Sequence, residues 1–195
     1  MRPQHRLTAP LAAVLALALV PPAAGSLLLA LDLPTLVTRA DRIAVVDVKS
    51  VQSAWNSRHD RIVTTVDVAV VESWKGPAAP AAHYQIVQPG GTVGDITMTV
   101  DGMPRFAVGE RTLLFLHGPP DHASVVGMTQ GKRALRREAG TGRWMVSAPE
   151  RAGADFVRTT PASGEAPVIE MRARSLDDLR GQVRGLVGAG AGGEK

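Results

Sequence analysis

The chain contains no cysteine. That excludes disulfides, thiolate metal sites and a cysteine nucleophile, and it leaves the packed core as the source of stability. Aromatic residues are scarce as well, at 4%, with three Trp, three Phe and one Tyr. Valine, leucine, isoleucine and alanine must therefore fill the interior, and the stacking platforms that single-stranded nucleic acid needs are missing. Neither sign of charge dominates. The formal net charge is +4 and falls by two without Arg2 and Arg6, so no polyanionic partner is called for. The zinc-protease pattern H-E-x-x-H is absent, and so is G-x-S-x-G, the turn that presents a nucleophilic serine. There is no internal repeat of the length that marks solenoids or propellers.

What is present suits one folded domain. The 195 residues are 45% hydrophobic and 21% charged, enough chain for a single core. Residues 1–25 carry the parts of a secretory signal: basic Arg2, His5 and Arg6, an apolar run over 11–20, then two prolines and the small residues Ala23 and Gly25. The expectation is an exported protein, periplasmic or extracellular, with no transmembrane span after cleavage before Ser26. A span takes about 20 apolar residues, and Pro21 and Pro22 interrupt this run. The rival is a retained anchor, because residues 27–31 (LLLAL) continue the hydrophobicity.

Downstream, the periodicity is mostly that of strands. Residues 32–40 predict a short helix with Asp32 as cap, Pro34 in its first turn and Leu33, Leu36, Val37 and Ala40 on one face, docked on the sheet. Residues 42–53 predict a strand bent or bulged near Asp47. Over 62–74, Ile62, Val66, Val68 and Val70 alternate with Thr65 and Asp67, the pattern of a half-buried antiparallel strand. After an alanine-proline loop and the strand 84–88, the segment 90–118 is the organising stretch. There Ile96, Met98 and Val100 are expected to face inward, Phe106 to plug the core, and TLLFL at 112–116 to run through the middle of the sheet. Gly76, Gly90, Gly91, Gly102 and Gly109 are read as structural turn residues. A hairpin extension follows, with Val126, Met128, Leu135, Trp144 and Val146 as inward candidates. The predicted organisation is a signal at 1–25, a β domain at 26–150, a loose loop at 151–174, a packed helix at 175–188 and a flexible tail at 189–195.

Chemistry is harder to find. His117 and His122 flank a Gly-Pro-Pro turn, and with Asp121 they are the nearest approach to a metal set, but no cysteine or carboxylate cluster completes it. A structural or solvent-exposed role is the reading taken, and no cofactor is expected. The Gly90–Gly94 loop is followed by a strand and not a helix, so it lacks the aligned donors of a phosphate site. Asp95 and Asp101 stand about 20 Å apart along an extended chain, too far for a catalytic pair. Lys132, Arg133, Arg136 and Arg137 would divide between two faces of a strand, as in a solvated hairpin. Trp55 and Trp74, near strand ends, are the candidates for partner contact, with capping of the core as the alternative.

Three segments carry a resemblance. RADRIAVVDV at 39–48, TVDVAVVESWKG at 65–76 and FAVGERTLLFL at 106–116 resemble the opening, lysine-glycine turn and closing strand of netrin-like domains, which include the tissue inhibitors of metalloproteinases. With the Gly90-Gly91 turn and QGK at 130–132, the arrangement is also similar to a group of exported bacterial proteins. Some of their relatives carry a matrixin-type zinc protease domain after such a module. The resemblance spans 39–132 and implies a small OB-like antiparallel barrel, here with short N- and C-terminal helices. The inhibitors act through an N-terminal cysteine that this chain lacks, so no functional residue carries over. The expected function is an exported non-catalytic binding or accessory module for an envelope or extracellular protein, such as a protease. The alternatives are an enzyme using an unrecognised His/Asp site, or a lipid- or polysaccharide-binding barrel.

Overall fold

The computed structural model describes residues 26–77, 82–157 and 172–191. The expected signal segment, most of the alanine-proline loop, the middle of the expected loose loop and the last four residues lie outside the described residues. In chain order the elements are β1 (Ser26–Leu29), α1 (Leu33–Arg39), β2 (Arg42–Trp55), β3 (Ile62–Lys75), β4 (His83–Pro89), β5 (Gly91–Val93) and β6 (Ile96–Met98). They continue with β7 (Arg111–His117), β8 (Ser124–Val125), a 3₁₀ turn (Met128–Gly131), β9 (Lys132–Arg137), β10 (Trp144–Val146), β11 (Ala154–Val157), β12 (Arg174–Ser175) and α2 (Leu176–Ala191). No helix among the described residues is long and apolar enough to cross a membrane.

The protein is mainly β. Seven antiparallel strands, in the order β12-β10-β9-β7-β2-β3-β4, form one sheet that curls into a half-barrel, and β8 adds to β7. The curl has a local cause in β2. Its pairing with β3 slips between Val48 and Ser50, leaving Lys49 as an extra residue, and two further shifts occur between Ile43 and Val46. Each irregularity raises the local twist, as the mixed alternation around Asp47 predicts. Along the free side of β4, Gln85 N–H donates to Pro120 O at 2.7 Å, Ala123 N–H to Gln85 O at 2.8 Å and Val87 N–H to Ala123 O at 3.0 Å. The residues leading into β8 thus cover the edge that β4 would otherwise expose.

Both faces of the central strands are buried, which explains their unbroken apolar runs. On the convex side Ile43, Val45, Leu113 and Phe115 pack with α1, α2, Trp74 and Val146. On the concave side Ala44, Val46, Val48, Leu114 and Leu116 pack with Val66, Val68, Tyr84 and Ile86. The helix α1 starts where Asp32 Oδ1 accepts from Thr35 N–H at 2.8 Å and buries Leu36 and Val37. In α2, Leu176, Leu179 and Val183 are buried. Arg180 clamps the helix to the sheet, with Nη2 donating to Glu72 Oε2 at 2.8 Å and its guanidinium over the Trp74 ring. Gln130, also buried, ties down the N-terminal chain: Leu31 N–H donates to its Oε1 at 2.7 Å, and its Nε2 donates to Leu29 O at 2.9 Å.

Several expectations are corrected. Ile96, Met98 and Val100 do not form an inward face. β6 pairs only with β5, in a hairpin off the main sheet, so no second layer covers it; Ile96 is 54% exposed, and Met98 and Val100 are half-buried. Phe106 is a half-buried lid on the concave core and not a sealed plug. The region expected to be a loose loop supplies two strands: β11, which pairs in parallel with β1, and β12 at the sheet edge. The helix α2 continues past residue 188 to Ala191, into the expected tail.

Candidate functional site

Among the described residues, a cleft of about 550 Å³ at the end of the half-barrel has room for a ligand. Its floor is the outer reach of the sheet, with Val51 and Ser53 from β2, Thr64 from β3 and Gln88 and Pro89 from β4. One wall is the β5–β6 hairpin, with Thr92, Thr97 and Met98; the other is the chain from Thr99 to Phe106, backed by Ala152 and Gly153. The long β2–β3 pair makes this possible. It runs beyond the two cores, and the strands' hydroxyl-bearing ends, Ser53 and Thr64, have no apolar layer to meet.

Two glycines let the chain close around this space. At Gly91, with φ of 132°, a Cβ would collide with Ser53 Oγ and Thr64 Oγ1. At Gly102, with φ of 78°, a Cβ would come within 2.8 Å of Leu28 Cδ1. The hydroxyls on the floor are preset: Ser53 Oγ and Thr64 Oγ1 are 2.8 Å apart, and Thr64 Oγ1 donates to Gly90 O at 2.6 Å. On the hairpin, Thr92 Oγ1 and Thr97 Oγ1 are 2.9 Å apart. Gln88 Nε2 donates to Pro104 O at 2.8 Å, which joins floor to wall, while Gln88 Oε1 is shielded from solvent and meets no donor in the protein. Leaving such an acceptor unmet costs about 1–3 kcal/mol.

Behind the wall stands a buried cation. Lys132 is only 6% exposed; its Nζ lies 2.8 Å from Glu110 Oε1, donates to Arg105 O at 2.6 Å and sits 5.0 Å from the centre of the Phe106 ring. Sequence reasoning placed Lys132 in a solvated basic cluster, and this position corrects it. Arg136 and Arg137 of that cluster are exposed. The charged side chains lining the cleft itself are one acid, Asp101, and one base, Arg105. Asp101 Oδ2 accepts from Ser26 Oγ at 3.1 Å.

The other singled-out residues lie elsewhere. His117 Nδ1 is 2.9 Å from Asp41 Oδ2, so its carboxylate partner is Asp41 and not Asp121. The backbone N–H of Gly118 also donates to Asp41 Oδ2, and that bond is the main reason the Asp41 carboxyl titrates below the ordinary aspartate range; burial opposes it and His117 adds to it. Asp121 and His122 are exposed, and among the described residues no three His, Cys, Asp or Glu side chains gather as a metal site. Trp74 is buried beneath α2 and offers no surface to a partner; Trp55 is half-buried at the end of β2. Asp95 stays at the exposed hairpin tip, away from the cleft. Gly76, Gly90 and Gly109 all take positive φ, as turn residues should.

Fold and site together define a cysteine-free, mainly β half-barrel carrying an open cleft of neutral, hydroxyl-rich character. No protein-family model matches the chain, and no characterised protein or solved structure shows a significant match to it. Only Thr97 and Thr99, alternating with Ile96, Met98 and Val100, mark a polar side of the cleft in the sequence. The residues opposite them come from five separate parts of the chain, and no spacing signals their meeting.

Proposed function

We propose that this protein is an exported, non-catalytic binding module on an OB-like barrel, and that the cleft is where it holds its ligand or partner. One observation carries the reading: the cleft, at about 550 Å³, falls in the range of ligand pockets and combines preset hydroxyls with half-buried apolar side chains. The OB-like description is supported by the closure of β7-β2-β3-β4 through the segment 120–125, which acts as a fifth wall. The basic start and apolar run within residues 1–25 support export, and with it a partner in the envelope or outside the cell.

The test fills the cleft without touching either core. Thr99 is exposed on the cleft wall, so Thr99→Trp is expected to fold with an unchanged melting temperature while blocking the space. Wild-type chain immobilised against envelope extract should retain a defined protein that the variant fails to retain. Equal retention by both, or none by the wild type across salt and detergent conditions, would count against the cleft as the binding site.

A further inference from the structure

Resting on that reading of the cleft, we infer that its occupant is an uncharged, extended peptide segment of another protein, added as a strand to the free edge of β2. The strand outruns its neighbour. β7 pairs with β2 only from Arg42 to Asp47, and the chain before β7 leaves it at Val48, whose N–H donates to Glu110 O at 3.0 Å and whose C=O accepts from Gly109 N–H at 2.9 Å. From Ser50 to Trp55, β2 pairs with β3 alone, without a slip in register. Asn56 N–H donates to Arg61 O, on the β3 side, at 2.9 Å. Backbone groups alternate sides along a strand, so those of Val51, Ser53 and Trp55 point away from β3. Among the described residues no backbone group meets them. Each offers an N–H and a C=O to an added strand, about 7 Å from one such residue to the next.

Proteins blunt such edges with lysine, proline, a bulge or a covering segment. The edge of β4 is covered by residues 120–125. By contrast, Val51-Gln52-Ser53-Ala54-Trp55 holds no charge and no proline, and the bulge at Lys49 lies before it. The cleft is what selects a peptide over a second copy of the chain. Val51 and Ser53 line it, and alternate side chains of a strand added in the plane of the sheet project to that same side. Half-buried Met98, Val100 and Met103, with Thr92, Thr97 and Thr99, are there to receive them. One acid and one base give the space no field for a charged segment. In a second copy Val51 is already packed on the concave core and Ser53 beneath Gly91, so that copy would bring no side chain to fill the cleft.

The experiment is a titration of the isotope-labelled full chain, followed by amide resonances, with an end-blocked octapeptide of alternating threonine and valine. Saturable shifts are expected at Val51, Ser53 and Trp55, and on the cleft wall at Thr97 and Thr99. Two N-methylated forms, one on the valine amides and one on the threonine amides, keep every side chain, but each lacks the donors of one edge. One of the two is expected to bind roughly tenfold more weakly than the parent, or worse. Glutamate in place of the peptide's valines, or Thr99→Trp in the protein, should weaken binding as much. Absence of any shift at about 1 mM peptide, where an affinity of about 0.1 mM would register, overturns the inference. So do shifts that spare the three edge residues, equal binding of the parent and both methylated forms, or indifference to Thr99→Trp. It also falls if the amides of Val51, Ser53 and Trp55 already resist hydrogen exchange in the chain alone, since a second copy or the chain itself then holds the edge. If no peptide binds while Thr99→Trp still abolishes retention of the envelope protein, strand addition falls and the binding-module reading stands.

Discussion

The ionisable side chains of this protein act mainly as fasteners, and Asp47 is the clearest of them. Arg111 grips its carboxylate with two bonds, Nε to Oδ1 at 2.7 Å and Nη2 to Oδ2 at 2.9 Å, and these hold the Asp47 carboxyl below the ordinary aspartate range against the opposing effect of burial. A carboxyl whose folded pKa lies below its unfolded value stabilises the fold when ionised. That contribution is complete above the unfolded value of about 3.9 and disappears as pH falls through the lower folded value. Asp67 has the same sign, through Ser50 Oγ and Gln85 Nε2, and so does Asp41 through Gly118 N–H. Because the Asp47–Arg111 pair is only partly shielded from water, Asp47→Asn is expected to cost about 1 kcal/mol at neutral pH. The difference from wild type should shrink as the pH is lowered to 2 and the carboxylate takes up its proton. Urea unfolding of both proteins at the two pH values measures it; a difference that persists in acid would show that the pair is not the cause. Lys132 makes the opposite point about legibility. In the sequence it is one of four neighbouring basic residues, and nothing local marks it as the one that meets Glu110 in the interior.

At the scale of elements, α2 shows how packing carries a helix of poor intrinsic propensity. Its apolar residues Leu176, Leu179 and Val183 are buried at helical spacing, while Gly181 and Gly185 lie on the exposed side, where an added Cβ would meet nothing within 4 Å. Each glycine costs roughly 1 kcal/mol relative to alanine in a helix interior. The double substitution Gly181→Ala/Gly185→Ala is therefore expected to stabilise the protein by about 1–2 kcal/mol. Chemical denaturation would show this as a higher midpoint with an unchanged slope; a lower midpoint would mean that the glycines serve a contact of the helix face. The position of α2 was legible because periodicity and the Ser175 start are local, whereas its run to Ala191 was not, since two more glycines, Gly188 and Gly190, obscure the pattern. The hairpin β5–β6 failed for a different reason. Its alternation is that of a half-buried strand, but three-residue strands joined at Gly94 stand away from the sheet, and alternation alone does not say whether a second layer exists.

For the molecule as a whole, the decisive arrangement is one curled sheet with a core on each side. β2 and β7 contribute to both, with Phe115 in the convex cluster and Leu116 in the concave one, so neither cluster can be lost without exposing the other's backbone support. A single cooperative unfolding transition is the consequence. Phe115→Ala is expected to cost about 3–5 kcal/mol and Leu116→Ala about 2–5 kcal/mol. Both should lower the same transition seen by tryptophan fluorescence and by far-UV circular dichroism. If Phe115→Ala instead separated the two signals, with the helix side melting first, the cores would be independent units. What the amino-acid sequence determined alone was whatever depends on neighbours along the chain: the strands read at 42–53 and 62–74, the cap at Asp32, the turning glycines and the central place of residues 112–116. Only the tertiary structure decided the curl that leaves a half-barrel, the burial of Lys132 and Trp74, the pairing of His117 with Asp41, and the cleft. Each of these depends on contacts between residues far apart in the chain, and such contacts are set by how bulged strands twist past one another, which side-chain order does not encode locally.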